Sequence, residues 1–234
     1  MKRILTCVLV AAAAVAATVG IKAATTTYAI NVGEFSKLKV TNDIDVRYVC
    51  NPDSAGYAVF TAEDKYADAF LFTNKGGTLK ISSNTDFSTN VFLPEVTVYS
   101  TYLISVENSS KKTLEIIDMP AAPELSFKQV GNGAIIAENL KATKIKAKIA
   151  TGNGSITLLG ECDEAVLEMV GTGRINADML EALYVNCKVF GTGSIGCWPI
   201  EKLNVKGLAS TTVYYKGVPA EIKKTGAAKI EPMP

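Results

Sequence analysis

The sequence predicts an all-β chain, a parallel β-helix-like solenoid with rungs of about 20 residues. Three observations carry this. Gly-x-Gly-x-Ile is written four times, as GNGAI, GNGSI, GTGRI and GTGSI, with first glycines at Gly131, Gly152, Gly171 and Gly191. The steps between them are 21, 19 and 20 residues, the mark of stacked copies of one unit. Ahead of each glycine pair, apolar residues alternate: Leu125 and Phe127; Ile145, Ala147 and Ile149; Leu167 and Met169; Val185, Cys187 and Val189. Period-two alternation belongs to a half-buried strand, and no helical periodicity of comparable length follows the N-terminal segment.

Each part of the unit has a physical role. Gly131, Gly133, Gly152, Gly154, Gly171, Gly173, Gly191 and Gly193 are expected at corners between strands, where glycine tolerates positive φ and close approach of neighbouring backbone, with Gly152, Gly171 and Gly191 in backbone states that a β-carbon disfavours. The residue four past each first glycine returns to the core at Ile135, Ile156, Ile175 and Ile195, and again at Val213. The longer step into Gly152 predicts a β-bulge there, which takes up one residue without turning the core face outward. The pattern fades outward through SKKTL (110–114), ASTTV (209–213) and GAAKI (226–230). A dinucleotide or phosphate loop would need Gly-x-Gly-x-x-Gly opening a helix, whereas here a strand-like segment continues. A calcium ladder would need an Asp in every turn, but the turn positions hold Ala134, Ser155, Arg174 and Ser194.

Upstream, residues 28–105 lack the glycine unit but stay strand-rich. SKLKVTNDIDVRYVC alternates across a short polar turn, KGGTLKISS reads as a Gly-Gly turn and a strand, and Pro94 leads into VTVYS. This N-terminal β region is expected to pack on or cap the first rung of the repeat solenoid at 106–232, because open strand edges invite aggregation. The chain length fits one large β domain or two small ones. Before both lies MKRILTCVLVAAAAVAATVGIKAA, with basic Lys2 and Arg3, an apolar run and Ala-rich sites. It reads as a signal peptide over 1–23, cleaved between 17 and 24, and as the chain's one link to a membrane.

Removing Lys2, Arg3 and Lys22 from 24 basic and 23 acidic residues leaves a nearly balanced chain, without the basic excess that a nucleic-acid partner needs. There is no histidine. That excludes Ser-His-Asp and Cys-His catalysis and histidine-based zinc sites, and no cofactor or metal is expected. Cys50, Cys162, Cys187 and Cys197 remain after cleavage. Their irregular spacing leaves three full disulfide connectivities open, and Cys187, between Val185 and Val189, reads as a buried structural thiol.

The order of these motifs resembles the head GIN domain family of putative auto-transporter adhesins. GEFSKLKVTNDIDVRY resembles its opening strand pair, KGGTLKIS and PEVTVY the strands before its repeats, the four glycine units its repeated Gly-Ser-Gly-Asp-Ile, and TTVYYKGVPAEIKK its closing strand and turn. The likeness spans residues 30–232. It implies a right-handed β-helix-like fold and an exported protein of a Gram-negative envelope, in the periplasm, on the outer-membrane surface or outside the cell. It implies adhesion as a function but maps no catalytic residue. The Asp frequent in the family's glycine unit is absent from all four clear copies here.

Candidate binding residues are few. Lys144, Lys146 and Lys148 share one strand face, a basic stripe for an acidic polysaccharide or a solvated outer face with Glu168 on the next rung. Trp198, Tyr214 and Tyr215 offer stacking surfaces for sugars or a seal on the core. Asp43 with Asp45, and Glu161 with Asp163, are the carboxylate pairs a glycosidase would use; the plainer reading of the first is a polar turn. The sequence therefore predicts an exported, non-enzymatic solenoid of the cell envelope that meets a glycan or an envelope or host surface protein. A carbohydrate-active β-helix enzyme and a purely structural envelope protein are the alternatives. Oligomeric state stays open.

Overall fold

The structure is a computed structural model that describes residues 24–84, 93–208 and 211–233; the expected signal peptide at 1–23 lies outside the described residues. From the amino end come β1 (Thr25–Asn31), β2 (Lys37–Thr41), β3 (Val46–Cys50), β4 (Tyr57–Glu63), β5 (Phe70–Lys75), β6 (Thr78–Ser83) and β7 (Val96–Ser100). Next are β8 (Ser105–Ser109), β9 (Thr113–Ile117), β10 (Ala122–Val130), β11 (Ala134–Thr151), β12 (Ser155–Met169), β13 (Arg174–Val189) and β14 (Ser194–Gly207). β15 (Thr212–Tyr215), β16 (Glu221–Gly226) and β17 (Lys229–Pro232) close the chain.

These strands stack as rungs with two main faces. On the first face, β10 is followed in parallel by the latter halves of β11, β12, β13 and β14, and then by β16. On the second face, β9 is followed in parallel by the leading halves of the same four strands, then β15 and β17. The glycine units sit where the first face turns into the second. At the opposite, second corner, β11 to β14 bend without ending, with register shifts in their pairing.

Register explains the sequence pattern. Ile135, Ile156, Ile175, Ile195 and Val213 pair in succession along the second face, and all are 0% exposed. Burial of each such side chain contributes about 1.5–3 kcal/mol. The first face supplies columns such as Leu125, Ile145, Ala165, Val185 and Leu203. The bulge expected ahead of Gly152 is present: Gln129 pairs with Ile149 but Val130 with Thr151.

The glycines have two different reasons. Gly131 and Gly152 have φ of +88° and +75°, the left-handed region expected for corners. Gly171 and Gly191 do not. Their corners instead stack backbone on backbone: a β-carbon on Gly171 would lie 2.5 Å from the carbonyl oxygen of Gly152, and one on Gly191 would overlap that of Gly171. For these two, the expectation of a disfavoured backbone angle gives way to close approach between rungs.

The N-terminal region joins the same stack out of chain order. β2 lies between β6 and β8, and β3 between β7 and β9, all parallel. The earliest rung is thus sandwiched by later ones. Beyond it, β5 pairs antiparallel with β6, β4 with β7, and β1 with β4. These reversed strands cover the end of the stack, as open edges require. At the other end, β16 and β17 expose Lys223, Lys224 and Lys229, charges that blunt an edge. Among the described residues, no helix is long and apolar enough to cross a membrane.

Candidate functional site

The outward side of the second face carries a polar trough beside the glycine corners. The residue after each second glycine points outward, and successive rungs align Ser155, Arg174, Ser194 and Thr212. Two positions on, Thr157, Asn176, Gly196 and Tyr214 align likewise. Ser155, Arg174, Ser194, Thr212, Asn176 and Tyr214, with Asn153, Thr172 and Thr192 from the turns, line an open cavity of ≈ 620 Å³. Arg174 Nε donates to Ser194 Oγ at 3.2 Å and forms no ion pair among the described residues. Asn176 Nδ2 donates to Thr157 Oγ1 at 3.3 Å. Tyr214 is 37% exposed at the far end. Hydroxyls, amides, one free guanidinium face and an aromatic ring together suit a hydroxyl-rich ligand.

Sequence reasoning named Tyr214 but missed the rest of this trough. Ser155, Arg174 and Ser194 hold the turn positions where a calcium ladder would place Asp, and the signal that marks the trough is that they form one outward column across the rungs.

The outward side of the first face is dominated by lysine. Lys144, Lys146 and Lys148 share it as expected, and each is partnered: Nζ lies 2.7 Å from Glu164, 2.7 Å from Glu124 and 2.6 Å from Glu168 respectively. Lys148 also belongs to a longer row that crosses the rungs, in register order Lys80, Lys39, Glu107, Lys128, Lys148, Glu168, Lys188 and Lys206. Glu107 takes both Lys39 at 2.7 Å and Lys128 at 3.1 Å. Partial burial would raise its carboxyl pKa, but the two ammonium groups outweigh this and hold it below the usual range.

The remaining candidates are dispersed. Trp198 lies at the second corner with the Lys216 ammonium 3.9 Å over its ring, so that ring face is covered rather than offered to a sugar. Tyr215 packs partly buried against the core. Asp45 accepts from the backbone N–H of Thr113 at 3.0 Å and faces Lys112, while Asp43 faces Lys111. Both therefore brace the corner between β2 and β3 against the next one. Glu161 is ion-paired with Lys141 at 2.6 Å, and with Asp163 and Glu181 it lines an open cavity of ≈ 600 Å³ at the second corner. All three carboxylates are exposed, unlike the water-excluded acid of a glycosidase. Among the described residues no group of His, Cys, Asp or Glu has a metal-holding arrangement.

All four cysteines of the described chain are free thiols. Cys187 on β13 and Cys197 on β14 lie 1% and 0% exposed, on opposite faces of successive strands. A hydrogen bond with Cys197, then burial, pushes the Cys187 thiol pKa up. At the covered N-terminal end, Phe60 packs on Tyr28, Phe70 and Phe72 with centroids 5.2, 4.7 and 6.5 Å away. The three phenylalanines help line a cavity of ≈ 660 Å³ whose other side carries polar groups, Asp68, Asn74 and Lys80 among them.

Several solved structures share this fold. A "putative adhesin" from Bacteroides fragilis superposes with a TM-score of 0.77 at 22% identity, covering 92% of this chain and 100% of that one. A "putative adhesin" from Parabacteroides distasonis gives 0.71 at 20% identity, covering 90% and 97%. A "putative lipid binding protein", also from P. distasonis, gives 0.63 at 22% identity, covering 90% and 97%. No functionally curated protein matches the sequence. The family model described as "Putative auto-transporter adhesin, head GIN domain" matches residues 34–219, from the strands at the covered end to the turn after β15. The chain therefore belongs to the head GIN domain family of putative auto-transporter adhesins.

Proposed function

We propose that this chain is an exported, non-enzymatic surface-interaction module of the cell envelope, and that it holds a glycan strand in the trough beside the glycine corners. The observation that carries the reading is the lining of that trough. Arg174, the Ser and Thr hydroxyls, the Asn amides and Tyr214 stand on neighbouring rungs of a rigid sheet, so little order is lost when they engage a ligand. The names carried by the family and by the B. fragilis neighbour favour adhesion over turnover. The carboxylates an enzyme would use are engaged as corner braces or exposed to water. The test is a glycan array probed with the exported chain. Capture should fall at least about tenfold in Tyr214→Ala and Arg174→Ala, with melting unchanged. Capture indifferent to both changes, or cleavage of a bound saccharide, overturns the proposal.

A second reading concerns the cavity beside Phe60, Phe70 and Phe72, whose aromatic side suits an acyl chain. The name of the lipid-binding neighbour supports it. Displacement of a fluorescent fatty acid, lost in Phe72→Ser, is its test.

A further inference from the structure

We propose that the lysine row on the first face is a docking surface for an anionic polysaccharide lying along the solenoid axis. It goes beyond the trough, which belongs to the second face, and neither site requires the other.

The argument starts from register. Parallel pairing places one row residue on each rung, and rungs of a sheet repeat about every 4.8 Å. The row is therefore a straight line of charges at fixed spacing, held by backbone rather than by flexible loops. Its two glutamates do not neutralise it. Glu107 is shared by Lys39 and Lys128, and Glu168 takes Lys148. Lys80, Lys188 and Lys206 are exposed and make no ion pair among the described residues. Lys188 and Lys206 are register partners on adjacent rungs, like charges set side by side, an arrangement that weakens a sheet unless an anion lies between them.

The second observation is where the compensating charge sits. The chain is nearly neutral as a whole, yet the glutamates of the first face are already paired with its lysines, and further acidic residues gather at the second corner, away from the row. Glu138, Glu161, Asp163, Asp178, Glu181 and Glu201 occupy it or its flanks, with Lys141 as the counter-charge seen there. Segregation of this kind leaves a basic field over the first face that a balanced composition conceals, and such a field draws a polyanion from solution.

The third observation chooses the partner. Outward positions along the row are lysine and glutamate and then, beyond Lys206, Thr225. An interfacial membrane surface would set apolar anchors among the basic groups, and the row has none. A linear polymer with an anionic group on successive sugars fits a linear row of ammonium groups.

The experiment uses the full exported chain and polygalacturonate as the probe. Binding is expected at about 50 mM salt and should weaken steeply by about 200 mM, because exposed charges are screened. Lys188→Glu with Lys206→Glu should weaken it at least about tenfold, and Lys188→Arg with Lys206→Arg should retain it. Tyr214→Ala should leave it unchanged, which separates failure here from failure of the trough. Absence of binding, indifference to charge reversal, or equal binding of neutral dextran overturns the proposal. So does capture by phosphatidylglycerol vesicles in place of the polysaccharide, which assigns the row to a membrane. Self-association lost on charge reversal, without polysaccharide binding, assigns it to the acidic corner of a second copy and overturns it equally.

Discussion

The carbonyl oxygen of Gly152 lies 2.5 Å from the place a β-carbon would take on Gly171. Each corner rests directly on the corner of the rung before, and Gly191 repeats the relationship on Gly171. Gly171→Ala must therefore push two rungs apart, and since the obstruction is backbone it cannot swing aside. Urea melts should show a loss of about 1–3 kcal/mol, the usual cost of overpacking. Thr172 is exposed and donates through Oγ1 to Gly152 O at 3.2 Å, so Thr172→Ala should cost about 1 kcal/mol or less. Equal melting of Gly171→Ala and the parent would show that the corners do not stack as described.

Sequence carried the rung period because the corners that stack most tightly accept only glycine, and the Ile column because its positions share one register. The extra residue before Gly152 announced its bulge for the same reason. The N-terminal rungs gave no such signal. The corner between β2 and β3 turns on Asn42, a non-glycine residue with φ of 67°, and it is braced by Asp45 rather than by glycine. That β6 lies outside β2 follows from pairing 41 residues apart in sequence, which no local pattern records. The trough and the lysine row are columns across rungs, so neither is contiguous in the chain. Trp198 looked available because the lysine that covers it, Lys216, comes from the following strand's end.

Lys148 and Glu168 offer a measure of how much cross-rung pairing contributes. Their atoms lie 2.6 Å apart, with side chains 42% and 25% exposed, so solvent screens much of the attraction. A double-mutant cycle with Lys148→Ala and Glu168→Ala should return a coupling of about 0.2–1 kcal/mol, smaller at high salt. A coupling near zero at low salt would remove cross-rung ion pairs from the account of stability.

Alkali should loosen the fold through its buried acids. Burial, assisted by Asp163 and Glu164, raises the Cys162 thiol pKa to about 12, against about 8.5 in an unfolded chain. Below about pH 8.5 both states keep the proton and stability is at its full value. Above it, the unfolded thiol ionises while the folded one does not, so stability falls by up to about 1.4 kcal/mol per pH unit until pH 12. Cys187 acts in the same direction, and so does Tyr48, whose phenol is raised chiefly by burial. Urea midpoints at pH 8 and pH 10.5 should differ, and Cys162→Ala should reduce the difference. A pH-independent midpoint would contradict the burial of these groups.

Asp45 separates a structural carboxylate from a catalytic one. Its Oδ1 accepts the Thr113 backbone N–H at 3.0 Å and its Oδ2 lies 3.7 Å from Lys112 Nζ. Thr113 opens β9, which pairs with β3 just beyond Asp45, so the carboxylate ties the first corner in the chain to the rung stacked on it. Asp45→Ala leaves that N–H without its partner and should cost about 1–3 kcal/mol, as a hydrogen bond to a charged group does when it is lost. Asp45→Asn keeps an accepting oxygen and should recover most of the loss. Neither change should alter glycan capture at the trough, which lies on later rungs. If a panel of polysaccharides is hydrolysed by the parent chain and spared by Asp45→Asn at equal stability, Asp45 is a catalytic group and the non-enzymatic reading falls.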